Sequence, residues 1–127
     1  MTNARRIMVD MSVTLFHHGH VRLLKAASTH GRLIVALTTD DEILKRKGYK
    51  PELNYAQRSE ILSAIKYVDE IVPSNWLIDV PFLDEHNIDL LVHGADNSNP
   101  IPPERLMILP RTEGISSDQI RALIRQT

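Results

Sequence analysis

No cysteine occurs among the 127 residues of this chain. Disulfides, thiolate metal centres and cysteine nucleophiles are therefore excluded. Charge of one sign is lacking too: 15 Lys and Arg stand against 16 Asp and Glu, a formal net charge of −1. The bases are spread along the chain rather than massed in a stripe, which argues against a nucleic-acid partner. No apolar run approaches the roughly 18 residues of a membrane span. Residues Met1 to Arg6 are polar, with no apolar secretion-signal stretch behind them. A soluble, cytoplasmic protein with no membrane partner is the expectation. No repeat, low-complexity segment or linker divides the chain, and its length suits one domain over 1–127.

Apolar runs of strand length alternate with helix-like patterns. Arg6 to Asp10 reads as a buried first strand. Leu33 to Leu37 is a continuous apolar run with β-branched members, the pattern of a strand covered on both faces. Glu70 to Val72, Asp89 to Val92 and Leu106 to Leu109 supply three more. Val21, Leu23, Leu24 and Ala27 recur at helical spacing, and Gly31 suits that helix's end. Asn54 with Gln57 resembles a capping box, followed by the stripe Ile61, Leu62 and Ile65. A helical turn is expected around Phe82 to His86. Ser116 can cap a last helix, with Ile120, Leu123 and Ile124 facing inward. The alternation predicts right-handed βαβ units and an α/β fold: one Rossmann-like domain with a doubly wound, five-stranded parallel sheet. Such sheets bind ligands beyond their strands' carboxyl ends, so functional residues are expected just after Asp10, Thr38, Val72, Val92 and Leu109.

Three clusters fall there. Phe16-His17-His18-Gly19-His20 opens the first helix. Gly19 allows close backbone approach, a helix start offers free N–H groups to an anion, and His17 and His20 can donate to phosphate, more strongly if charged. A histidine-rich surface turn is the plainer alternative. A metal centre is a weaker reading, because three histidines on one turn do not converge on one ion. Arg111-Thr112-Glu113-Gly114-Ile115-Ser116-Ser117 follows the last strand and combines an arginine, a glycine, hydroxyls and a helix start, a second anion site. Lys45, Arg46 and Lys47 before Gly48 read as a basic loop, either simply solvated or folding over phosphates as a mobile cover, with Arg58 just past the Asn54 cap.

Together these residues resemble the cytidylyltransferase branch of the HxGH nucleotidyltransferases. His17-x-Gly19-His20 matches the HxGH signature, and Arg111 to Ser117 is similar to the RTEGIS signature. Lys47-Gly48, Arg58, Tyr67-Val68-Asp69-Glu70 and His86-Asn87-Ile88-Asp89 are similar to that branch as well. The resemblance spans about Arg6 to Ile124. It implies CTP and a small phosphorylated alcohol as substrates, magnesium as the counterion with its protein ligands unknown, and a homodimer. It implies His17, His20, Lys47 and Arg111 as catalytic. It assigns Ser12, Val13, Gly19, Arg58, Asp96, Thr112, Gly114, Ile115, Ser116 and Ser117 to the nucleotide. Lys47, Trp76 and Asn97 are the residues expected to meet the acceptor.

The chemistry suits these residue types. A phosphate monoester with a second pKa near ~6 is already an anion at neutral pH and needs no general base. Its oxygen can attack the α-phosphorus in line, leaving the protein to position the groups and stabilise charge. The sequence departs from the family at two places. Met11-Ser12-Val13-Thr14 stands where G-x-F-D is usual, with Asp10 as a candidate stand-in for the lost acid, and Gly94-Ala95-Asp96 keeps one acid of G-D-D. An adenylyltransferase on the same scaffold and a non-catalytic nucleotide-binding protein are the rival readings. Trp76 alone makes an incomplete aromatic cage for choline, whereas Asn97, Ser98 and Asn99 suit a hydrogen-bonding headgroup.

Overall fold

The computed structural model describes residues 5–94, 97–110 and 117–125. Five parallel strands form one sheet in the order β3-β2-β1-β4-β5. They are β1 (Arg6–Met11), β2 (Arg32–Thr38), β3 (Glu70–Ser74), β4 (Leu90–Gly94) and β5 (Leu106–Leu109). β1 is central: Ile7 pairs with Leu33 of β2 on one side and with Leu90 of β4 on the other. The α-helices are α1 (His18–Ser28), α2 (Asp40–Lys47), α3 (Tyr55–Ser63), α4 (Val80–Glu85) and α5 (Ser117–Arg125). This is the doubly wound, Rossmann-like α/β arrangement that the alternation predicts.

Period-two alternation divides the core between the two faces of the sheet. Ile7, Val9, Leu33, Val35 and Leu37 pack with Leu24 and Ala27 of α1 and Leu62 of α3. Met8, Ile34, Ala36 and Leu91 pack with Ile78, Leu83 of α4 and Ile88. Both faces are covered, so β1 and β2 carry apolar residues almost without interruption. Arg6 opens β1, and Asp10 is the one polar residue near its carboxyl end. The chain winds outward from β1 to β3 and then crosses back to β4. The switch point therefore lies between the ends of β1 and β4, where a crevice opens.

The capping box at Asn54 is present: its side chain accepts from the Gln57 N–H at 2.9 Å, and the Gln57 side chain accepts from the Asn54 N–H at 2.9 Å. Three expectations need correction. Gly31 does not end α1, whose C-cap is Thr29. Instead the chain at Gly31 passes so close to strand β1 that a Cβ would lie 2.3 Å from the Arg5 carbonyl oxygen. Lys45, Arg46 and Lys47 are not a loop but the last turn of α2, closed by Gly48 at φ 78°. Thr39 caps the other end, where Asp40, Asp41 and Glu42 fill the first turn. Acids at the start and bases at the end both complement the helix dipole. Finally, Leu123 and Ile124 do not face inward; they are 63% and 61% exposed, while Arg121 between the flanking turns is buried. Among the described residues no helix is long and apolar enough to cross a membrane.

Candidate active site

A cavity of about 490 Å³ occupies the switch point. Met11, Ser12 and Thr14 line it from the end of β1, and His17, Gly19 and His20 from the start of α1. Lys47, Tyr49 and Trp76 line it from the segments after β2 and β3, His93 from the end of β4, and Ser98 and Asn99 from the segment after it. Asp10 is the one carboxylate among the described lining residues, against the cations Lys47 and Arg22, with three histidine rings as further hydrogen-bonding groups. That balance suits polyanionic substrates.

The HxGH turn builds itself as a capping box in which histidines do the work usually done by Ser and Glu. His17 is the N-cap of α1. Its Nδ1 accepts from the Gly19 N–H at 3.1 Å, and Nδ1 of His20 accepts from the His17 N–H at 3.1 Å. An Nδ1 that accepts a backbone hydrogen bond has no proton, so each neutral ring carries its proton on Nε2. The rings lie 3.9 Å apart, centroid to centroid. Phe16 stacks on His20 at 5.5 Å. Burial, reinforced by the neighbouring His17, lowers the His20 pKa from 6.5 to about 4. His20 is therefore a neutral donor at physiological pH, not the imidazolium the sequence allows. The helix start also differs from a bare anion site: the Gly19 amide is bonded to the His17 ring and the His20 amide to the His17 carbonyl at 3.0 Å. The motif offers side-chain donors in place of those amides.

Lys47 sits on the exposed last turn of α2, its ammonium 5.6 Å from the centroid of the Trp76 ring. Trp76 is fixed in turn by its backbone N–H, which donates to Glu42 at 2.9 Å. Arg58 behaves differently from the phosphate ligand it was expected to be. It is 1% exposed and does not line the cavity. Nη1 donates to the carbonyls of Ser12 at 2.7 Å and Thr38 at 2.8 Å, Nε donates to Leu53, and Nη2 pairs with Asp40 at 2.7 Å. The guanidinium thus ties together the ends of β1 and β2 and the first turn of α2. Val13 also lies off the cavity. Its side chain is in the core and its backbone turns at φ 50°, a strained value for a β-branched residue.

Asn97 stands one step behind the site. Its side-chain Oδ1 accepts from the Asn99 side chain at 2.8 Å and the Asn99 N–H at 3.1 Å. Asn99, which lines the cavity, accepts from the Ile78 N–H at 2.7 Å and donates to Oδ2 of Asp10 at 3.2 Å. The other oxygen of Asp10 lies 3.4 Å from Nε2 of His93. His93 was not singled out as a binding residue, although it stands next to a strand end where ligands were expected, and Asp10 was named only as a stand-in for the missing acid. Thr14, at the position of the missing family acid, is buried on the cavity wall and accepts from Arg121 at 3.0 Å. Asp96, Arg111, Thr112, Gly114, Ile115 and Ser116 lie outside the described residues; Ser117 opens α5.

By the family it matches, this α/β protein is a Rossmann-like nucleotidyltransferase, its crevice at the β1/β4 switch point entered by a histidine-capped helix. Residues 14–115 match the family model described as Cytidylyltransferase-like, and the chain belongs to that family. It is 34% identical over 122 residues to a glycerol-3-phosphate cytidylyltransferase of Bacillus subtilis, covering 92% of this chain and 95% of that protein. It is 40% identical over 93 residues to an ethanolamine-phosphate cytidylyltransferase of Mus musculus, covering 72% of this chain and 23% of that longer protein. A lipopolysaccharide core biosynthesis protein from Thermoplasma volcanium shares the fold, with a TM-score of 0.66 at 18% identity, over 98% of this chain and 88% of that one.

Proposed function

We propose that this chain transfers the cytidylyl group of CTP to the phosphate of a small phosphorylated alcohol. A phosphate oxygen of the acceptor attacks the α-phosphorus, the bond from that phosphorus to the bridging oxygen breaks, and pyrophosphate leaves with its electron pair. The products are a CDP-alcohol and pyrophosphate. The observation that carries this reading is the paired His17 and His20, with their Nε2 protons fixed by the capping box, in one cavity with Lys47. Neutral N–H donors and a lysine stabilise charge on the transferring phosphoryl group without themselves changing protonation.

Magnesium fits the reaction as an ion carried on the triphosphate. No group of three or more His, Asp or Glu suited to a metal occurs among the described residues. Magnesium commonly keeps its waters and binds chiefly through substrate phosphates. When bound, it supplies further neutralisation of the phosphate charge.

The acceptor's headgroup is assigned to Asp10. Oδ2 is engaged by Asn99, and Oδ1 is buried with no hydrogen bond, Nε2 of His93 standing 3.4 Å from it. A buried carboxylate oxygen in a substrate cavity favours a headgroup that donates hydrogen bonds, a primary ammonium above all. Choline suits it less: a quaternary ammonium cannot donate, and the face of Trp76 already carries Lys47. The test is pyrophosphate release from CTP, with magnesium, against glycerol phosphate, ethanolamine phosphate, choline phosphate and aminoalkyl phosphonates, with ATP as control. Release requiring CTP and one acceptor is expected. CTP binding with no release for any acceptor would instead favour a non-catalytic nucleotide-binding protein.

A further inference from the structure

Arg121 of α5 is 7% exposed and does not line the cavity. Its guanidinium is nonetheless joined to two segments that do. Nε and Nη2 grip the Glu52 carboxylate as a fork, with Nη2 to Oε1 at 2.8 Å. Nη2 also donates to the Thr14 hydroxyl at 3.0 Å, and the guanidinium carbon lies 4.9 Å from the Tyr49 ring centroid. Thr14 belongs to the β1–α1 loop, three residues before His17. Tyr49 and Glu52 belong to the connection between α2 and α3, just after Lys47. One side chain from the far end of the sequence thus spans the two walls that carry the histidines and the lysine.

We propose that Arg121 is a positioning residue for the transfer reaction, setting the place of Lys47 relative to His17 and His20. The proposal rests on the function proposed above. Lys47 makes no ion pair among the described residues, and its side chain touches the Trp76 ring. Its location is therefore fixed by backbone, by Gly48 on one side and the Tyr49–Glu52 segment beyond it. A bidentate arginine–carboxylate pair stacked on an aromatic ring has a defined geometry that a lysine cannot reproduce. Catalysis by positioning is sensitive to such restraints, since a displacement of about 1 Å can cost about 100-fold in rate.

The test compares Arg121→Met, Arg121→Lys and Lys47→Ala singly and in combination. Arg121→Met should lower kcat by about 10- to 100-fold with smaller changes in KM, and Arg121→Lys should recover only part of it. Adding Arg121→Met to Lys47→Ala should cost less than twofold, because the lysine it positions is gone. Thr14→Val, which removes one hydroxyl, gives the same non-additive pattern on a smaller scale should Arg121→Met fail to fold. Trp76 is the only tryptophan, so its emission reports on the Lys47 contact without any turnover. Arg121→Met should shift it, even if the wild-type protein turns over none of the acceptors and the functional reading fails. Additive losses, or an unchanged kcat and an unchanged Trp76 spectrum, would overturn the proposal.

Discussion

The backbone amide of His17 donates to Nδ1 of His20 across 3.1 Å, while the His17 ring accepts from Gly19. The two rings are thereby oriented with their protons on Nε2, and burial keeps His20 uncharged. A glutamine at position 20 can still accept the capping hydrogen bond. His20→Gln should therefore fold as well as the wild type and lose about 100-fold or more in kcat, the scale for removing one preorganised donor. Comparable turnover in a folded His20→Gln protein would show that the ring takes no part.

The lowered His20 pKa also fixes the sign of two pH effects. The ring stays neutral down to about 4, so it cannot set an acid limb of kcat/KM between pH 5 and 7. That limb should follow the acceptor's own second ionisation, near ~6 for a phosphate ester, and should move when a phosphonate replaces it. A limb fixed at one pH for both acceptors would contradict this. For stability, the unfolded ring takes a proton as pH falls through 6.5, whereas the native ring refuses it until about 4. Stability should then be unaffected by His20 above pH 6.5 and decline across that window. Thermal melts of wild type and His20→Gln should converge in shape above it and diverge below.

Arg58 should register in stability rather than in nucleotide affinity. Its guanidinium satisfies the carbonyls of Ser12, Thr38 and Leu53 and pairs with Asp40. Arg58→Met leaves all of them without that partner, a loss of about 1–3 kcal/mol by the usual cost of leaving buried acceptors unsatisfied. Denaturant unfolding measures it. Full stability with a raised KM for CTP would restore Arg58 to the substrate.

Gly31 offers a purely steric check. An alanine there would place its Cβ 2.3 Å from the Arg5 carbonyl, a backbone atom that cannot rotate away. Gly31→Ala should cost about 1–3 kcal/mol without changing KM for either substrate. A neutral effect on the melting temperature would mean that the β1 entry relaxes freely.

Much of this was legible in the sequence, for identifiable reasons. The strands are written as short apolar runs, and β5 is expected at Leu106–Leu109, where it is found. α2 was missed although its signals are plain: Thr39 as cap, acids in the first turn, bases in the last and Gly48 beyond. Its eight residues hold few apolar positions, only Ile43 being buried, so periodicity gave no trace. The roles of the arginines were hidden for another reason. A basic residue near a phosphate site suggests a ligand, and sequence carries no sign that Arg58 turns inward to backbone carbonyls or that Arg121 reaches Glu52, 69 positions away. Asp10 and His93 meet only because β1 and β4 are neighbours, which strand order decides.

That pairing leads to the most specific prediction. Asp10 lies at the end of β1 and His93 in β4, on the two sides of the switch point, with the Asp10 carboxylate also held by Asn99. Among the described lining residues no other acid can receive a cationic headgroup. Asp10→Asn keeps the shape and the Asn99 contact through its oxygen but removes the negative charge. It should raise KM for ethanolamine phosphate by about 10-fold or more, since a hydrogen bond between charged groups is worth about 1.5–3 kcal/mol. KM for glycerol phosphate, whose hydroxyls need only a polar acceptor, should change little, and KM for CTP should stay the same. Steady-state kinetics with both acceptors separates the outcomes. An equal loss with both would place Asp10 at the phosphates or their counterion instead, and no loss with either would remove it from the acceptor site.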